Sequence, residues 1–194
     1  MGQVFALPPG NVTPVWIPSG IILAAVLIRG YYLWPGIFIG AFVGNAWAYF
    51  DASSLSSILA SVFAGAANGI GDSLCAVVGA FLIWKTTGTR YPLSRASNVL
   101  KFILYGAVIG GGISAVFGVT GLGLAGFVSW SDYSGLLITW WTGDGVGVLL
   151  FAPLLLCLNH IRGRIELGIE ELGFILALTL VSAYLFELTC SLLD

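Results

Sequence analysis

The stretch Lys85-Thr-Thr-Gly-Thr-Arg90-Tyr-Pro-Leu-Ser-Arg95-Ala-Ser-Asn-Val-Leu-Lys101 holds four of the seven Lys and Arg residues of this 194-residue chain. The other three are Arg29, Arg162 and Arg164, and two long apolar runs separate each basic stretch from the next. The intervening loops carry Asp51 and Asp132 and no cation. This asymmetry is the one that the positive-inside rule describes for a multi-pass membrane protein, and it predicts that the three basic stretches share the cytoplasmic side.

Composition agrees. The chain is 58% hydrophobic and 8% charged, with a mean hydropathy of +1.01, far from the surface charge that a soluble domain needs. The expected fold class is all-α: a polytopic transmembrane helix bundle of about six spans at ~20 residues each, with tilted or broken helices. The net charge of −2 comes from acids in loops and near helix ends and points to no nucleic-acid partner. Cys75, Cys157 and Cys190 form no C-x-x-C pair and read as packing residues.

The expected spans are Val15 to Ile28, Tyr31 to Phe50, Leu55 to Trp84, Asn98 to Phe127, Ser134 to Leu158 and Leu172 to Cys190. The third and fourth exceed a ~30 Å hydrocarbon core at 1.5 Å per residue, so they must tilt, extend beyond it or break. Gly69 and Gly71 in one, and Gly110 to Gly112 in the other, mark where a break would occur. Trp16, Trp47 and Trp130 fall at the predicted outer boundary and Trp34 and Trp84 at the inner one, as interfacial anchors do. Trp140 and Trp141 lie about two turns inside their span, too deep for that belt. Ser97 or Asn98 is the expected N-cap after the Pro92 breaker. His160 has no second metal ligand nearby, and no metal site or cofactor is expected.

Small residues recur every four positions through Ala60, Ala64, Asn68, Asp72, Ala76 and Ala80, a ridge along which another helix can approach closely. An Asp at mid-membrane costs roughly 2.5 to 3.5 kcal/mol to insert, so Asp72 should face protein or a water-filled cavity. Asp144, in Trp140-Trp141-Thr142-Gly143-Asp144-Gly145-Val146-Gly147, lies at comparable depth. Two acids at one level, walled by Trp140, Trp141, Trp16 and Asn68, would suit a small polar ligand or a cation. Equally, each carboxyl could be a hydrogen-bonded structural knot that locks helices together. Two close carboxyls in low dielectric cannot easily both ionise. A Gly-Asp pair occurs in both spans, but these run the same way and form no inverted repeat. Pro153 is expected to kink its span; Gly106, Gly110, Ser114 and Gly118 form a second small-residue face, and Glu187 reads as structural. No phosphate loop, dinucleotide fingerprint, paired metal His or Ser/His/Asp set is present, so no catalytic activity is expected.

Three motifs in order carry a family resemblance: Trp16-Ile17-Pro18-Ser19-Gly20, then Leu33-Trp34-Pro35-Gly36-Ile37-Phe38-Ile39-Gly40-Ala41 with Asn45, then Trp140 to Leu149 ending at Pro153. Together they resemble the bacterial membrane-associated sensor domain MASE1. The resemblance implies a sensory input module of the inner membrane, N-terminal to histidine kinases or cyclic-di-GMP enzymes in longer chains. It makes Trp16, Asn45, Asn68, Asp72, Trp140, Trp141 and Asp144 the candidate ligand-binding set. Pro18, Gly20, Trp34, Pro35, Gly36, Gly143, Gly147 and Pro153 are its structural motif residues. Expected partners are the bilayer, a small ligand or membrane protein, an output kinase or cyclase domain, and a second copy of the chain. The whole of 1–194 reads as one sensor-type domain, expected to lack a helix upstream of the W-x-P-x-G motif and an output domain downstream. A substrate-capture or transport-type module, or an assembly scaffold, would use the same polar centre.

Overall fold

A computed structural model describes residues 15–161, which form an all-α bundle with no strand among the described residues. The chain divides into two compact units, Met1–Asn159 and His160–Asp194; of the second only His160 and Ile161 are described. The expected span from Leu172 to Cys190, with Glu187, Arg162 and Arg164, lies outside the described residues.

Helix α1 runs Ile17–Arg29 and α2 runs Trp34–Ala48, each with a proline in its first turn, where no intrahelical donor is lost. Helix α3, Leu55–Thr87, is the central rod. Ser54 caps its start by accepting the Ser57 N–H at 3.1 Å. Gly88, in the left-handed region at φ 67°, ends it, and the Lys101 ammonium donates to the carbonyl of Thr86 at 2.8 Å. The next rod spans Ala96–Leu124: α4 (Ala96–Phe102), a π-helical stretch Ile103–Gly110, and α5 (Gly111–Leu124). Helix α6 is Tyr133–Ile161.

Three rods are long and apolar enough to cross a membrane, and α1 is a shorter apolar helix. At 33 residues, α3 is about 50 Å long. Of tilt, extension or break, it does not break at Gly69 or Gly71, and those glycines are occupied by neighbours: a Cβ on Gly69 would lie 3.0 Å from the Phe38 ring, and one on Gly71 2.8 Å from Phe117 Cβ. They serve close helix approach instead. In the α4–α5 rod the irregularity does fall beside Gly110, but as a π-helical stretch that keeps the rod continuous. Helix α6 likewise continues through Pro153. The expected Ser97 or Asn98 cap is absent; Arg95 holds the N-cap position without a side-chain bond, its carbonyl accepting from the N–H groups of Asn98 and Val99.

Helix α3 packs against α1, α2 and the α4–α5 rod. The core, with Leu23, Leu27, Ala76, Ala80, Ile83, Phe102 and Val148, lies where α1, α3, α4 and α6 converge. Tyr31 meets Trp84 edge-on with centroids 4.6 Å apart, and Arg90 lies over the Trp84 ring at 5.0 Å. The Tyr91 hydroxyl is 3.6 Å from Cys157 Sγ. The segments flanking Arg29, the 85–101 loop and the end of α6 are therefore gathered at one end of the bundle. Tyr49 and Phe127, 5.4 Å apart, join the α2 and α5 ends elsewhere.

Candidate functional site

The expected small-residue ridge of α3 is buried from Ala64 through Asn68, Asp72 and Ala76 to Ala80. Asp72 therefore projects into the bundle, where the Ser114 hydroxyl of α5 donates to its Oδ1 at 2.9 Å. Asp144 of α6 is fully buried and receives the Ser19 hydroxyl of α1 on Oδ1 at 2.5 Å. Its Oδ2 has no hydrogen-bond partner among the described residues. Gly111, one turn before Ser114, faces Asp144: a Cβ there would sit 3.3 Å from the Asp144 Cβ. Each carboxylate is thus held by a serine on a different helix, Asp72 by Ser114 of α5 and Asp144 by Ser19 of α1. Four elements, α1, α3, α5 and α6, meet in this polar centre.

Backbone docking of α1 on α6 sets this geometry. The Trp16 N–H donates to the Gly143 carbonyl at 2.9 Å. A Cβ on Gly147 would overlap the Trp16 carbonyl, and one on Gly20 would overlap the Gly147 carbonyl. The W-x-P-S-G and G-D-G-V-G segments, more than a hundred residues apart, are two sides of one contact, and Gly at 20 and 147 is what permits it. Ser19 is delivered to Asp144 by that approach.

A cavity of about 650 Å³ lies beside the polar centre. Trp16 and Pro18 line it from the start of α1, Asp72 from α3, and Gly36, Gly40, Gly44 and Asn45 from α2. Asn45 also donates to its own helix at the Ala41 carbonyl, 2.9 Å away. Of the seven candidate ligand-binding residues, Trp16, Asn45 and Asp72 share this cavity, and Asp144 sits behind it on Ser19.

The remaining three are elsewhere. Asn68 is buried and donates to the Ala64 carbonyl at 2.8 Å. It meets Trp140 over Gly118, where an added Cβ would lie 3.0 Å from Asn68 Oδ1 and 2.7 Å from the Trp140 ring. Trp141 departs from the expected wall: it is 39% exposed, and its indole N–H donates to the Val108 carbonyl of the π-helical stretch at 2.8 Å. Neighbours in sequence on a helix point about 100° apart, and here the Trp140 and Trp141 rings meet different neighbours, Gly118 and Val108. Sequence reasoning missed Ser19 and Ser114 as carboxylate partners, although both lie in motifs it singled out. Their signal was a hydroxyl standing among small residues on a packing face.

Among the structural motif residues, Pro18 and Pro35 start their helices and Trp34 is exposed at the α2 start. Gly143 is buried at the crossing, and Pro153 continues α6.

Comparison with known proteins gives a consistent picture. The MASE1 family model matches residues 1–193. The chain is similar to the probable diguanylate cyclase DgcE of Escherichia coli (strain K12), at 27% identity over 184 residues; the match covers 90% of this chain and 15% of that protein. No solved structure matches. With the first and third motifs assembled into one helix crossing, the second lining the cavity beside it and the family model matching almost end to end, the chain belongs to MASE1, a family of membrane sensory modules in signalling.

Proposed function

We propose that this module is a sensory input whose polar centre takes up a small ligand or a membrane partner and relays the event to a cytoplasmic output domain in a longer chain. The single observation that carries the reading is the join between a cavity and a network. Asp72 lines the cavity and is bonded to Ser114 of α5, next to the Asp144–Ser19 pair that ties α6 to α1. An occupant that engages Asp72 acts on a group whose partners sit on other helices, which is how a local event can bias the arrangement of several rods. In this reading the 194 residues act as one sensor domain of the inner membrane, with the basic stretches cytoplasmic. Chemistry is left to the output domain.

The test is a chimera in which this chain replaces the matching segment of the Escherichia coli relative, with cyclic di-GMP as readout. Asp144→Asn is expected to accumulate in the membrane while its output no longer follows the parent chimera. Normal accumulation and normal output from both Asp144→Asn and Asp72→Asn would refute the assignment.

A further inference from the structure

The chemistry of the cavity wall restricts what it can hold. Asp72 is 94% buried by its 6% exposure, and its Oδ1 is taken by Ser114. Among the described residues no Lys, Arg or His lines the cavity, and the other side-chain polar groups there are the Asn45 amide and the Trp16 and Trp47 indoles. Most of the wall is apolar, including Ile22, Leu33 and Ile37. Where it is ionised, Asp72 at membrane depth calls for a compensating charge, which disfavours an anionic ligand and gives a cation the advantage over a neutral one. A divalent metal ion is disfavoured as well, since one carboxylate and one amide would leave most of its coordination shell to water in a largely apolar cavity. Among the described residues no three His, Cys, Asp or Glu group together.

The second observation is the glycine row of α2. Glycines at the helix crossings are pressed by neighbours, as Gly106 is by Leu23 at 2.8 Å from a built Cβ. Gly36, Gly40 and Gly44 have nothing within 4 Å among the described residues, yet all three line the cavity. These glycines do not bring helices together; they keep volume open along one face. The cavity's size lies within the range of small-molecule sites.

Building on the sensory reading, we infer that the cavity binds an amphipathic organic cation, its ammonium head at Asp72 and its apolar body between Trp16 and the glycine face of α2. The Trp16 ring adds a cation–π surface.

The experiment measures binding by calorimetry to the full chain in phosphatidylcholine nanodiscs at neutral pH. The probes are phenethylammonium, phenethyl alcohol and hydrocinnamate, a cation, a neutral and an anion of similar shape. The ammonium should bind roughly tenfold or more tightly than the alcohol, and hydrocinnamate should not bind. Asp72→Asn should erase the preference. Gly40→Phe, whose Cβ meets nothing within 4 Å among the described residues, should fill the cavity and abolish binding of both while thermal unfolding is retained. Equal binding of ammonium and alcohol, a preference that survives Asp72→Asn, or unchanged binding in Gly40→Phe would each overturn the inference. Should Asp72→Asn fail to accumulate, the wild-type probe series and Gly40→Phe decide. A chain that binds the ammonium while the chimera's output ignores it overturns the sensory reading and leaves the cation site standing. A chimera that responds to a stimulus while the chain binds no ammonium does the reverse.

Discussion

Ser19→Ala isolates the join between α1 and α6. The hydroxyl it removes donates to Asp144 Oδ1 at 2.5 Å, and Asp144 Oδ2 already has no partner among the described residues. Both residues are 0% exposed, so no water replaces the lost donor. Leaving a buried acceptor without its donor costs about 1–3 kcal/mol, and the methyl of Ala fills most of the space that the serine side chain leaves. The expected destabilisation is about 2 kcal/mol, a shift of roughly thirtyfold in the folded-to-unfolded ratio. In an Asp144→Leu background the hydroxyl has no carboxylate to serve, and the same change should cost under about 0.5 kcal/mol. The coupling energy of the double-mutant cycle is therefore about 1.5 kcal/mol. Unfolding of the purified chain in mixed micelles titrated with sodium dodecyl sulfate measures all four corners. A Ser19→Ala effect that is the same in both backgrounds would refute the idea that this pair holds the crossing.

Three further outcomes are expected. Gly147→Ala should destabilise by about 1–3 kcal/mol, because its Cβ meets the Trp16 backbone rather than a flexible side chain; Gly40→Ala, with open space around it, should be neutral or stabilising by up to ~1 kcal/mol, and the same titration compares them. In intact cells an impermeant thiol reagent should label a cysteine placed at Ser53 and spare one at Arg95; the opposite pattern reverses the topology. The backbone N–H and hydroxyl of Ser53 hold the Asp51 carboxyl below the usual carboxylate range. Its folded pKa being depressed, the turn's support is present above the unfolded value and lost as pH falls through the folded one; carbon-detected titration of Asp51 should show that lowering, and Ser53→Ala, which keeps the backbone N–H, should remove only the hydroxyl's part of it.

The sequence by itself determined that the chain is a membrane helix bundle, because hydropathy and run length are local properties that lipid reads directly. It determined the family for a similar reason: each motif is a contiguous string. The buried ridge of α3 was legible too, since spacing at four residues assigns a helix face without reference to any partner. Tertiary structure decided everything that depends on which faces meet. In a bilayer, a lipid-facing Leu and a buried Leu look alike in sequence, so hydropathy could not tell that Trp140 turns inward over Gly118 while Trp141 turns to the π-helical stretch. Nor could glycine spacing distinguish the row at Gly36, Gly40 and Gly44, which fronts a cavity, from Gly20 and Gly147, which bring two backbones together. The pairing of Ser19 with Asp144 and of Ser114 with Asp72 joins residues 125 and 42 positions apart. Only the packed helices bring those groups within hydrogen-bond reach.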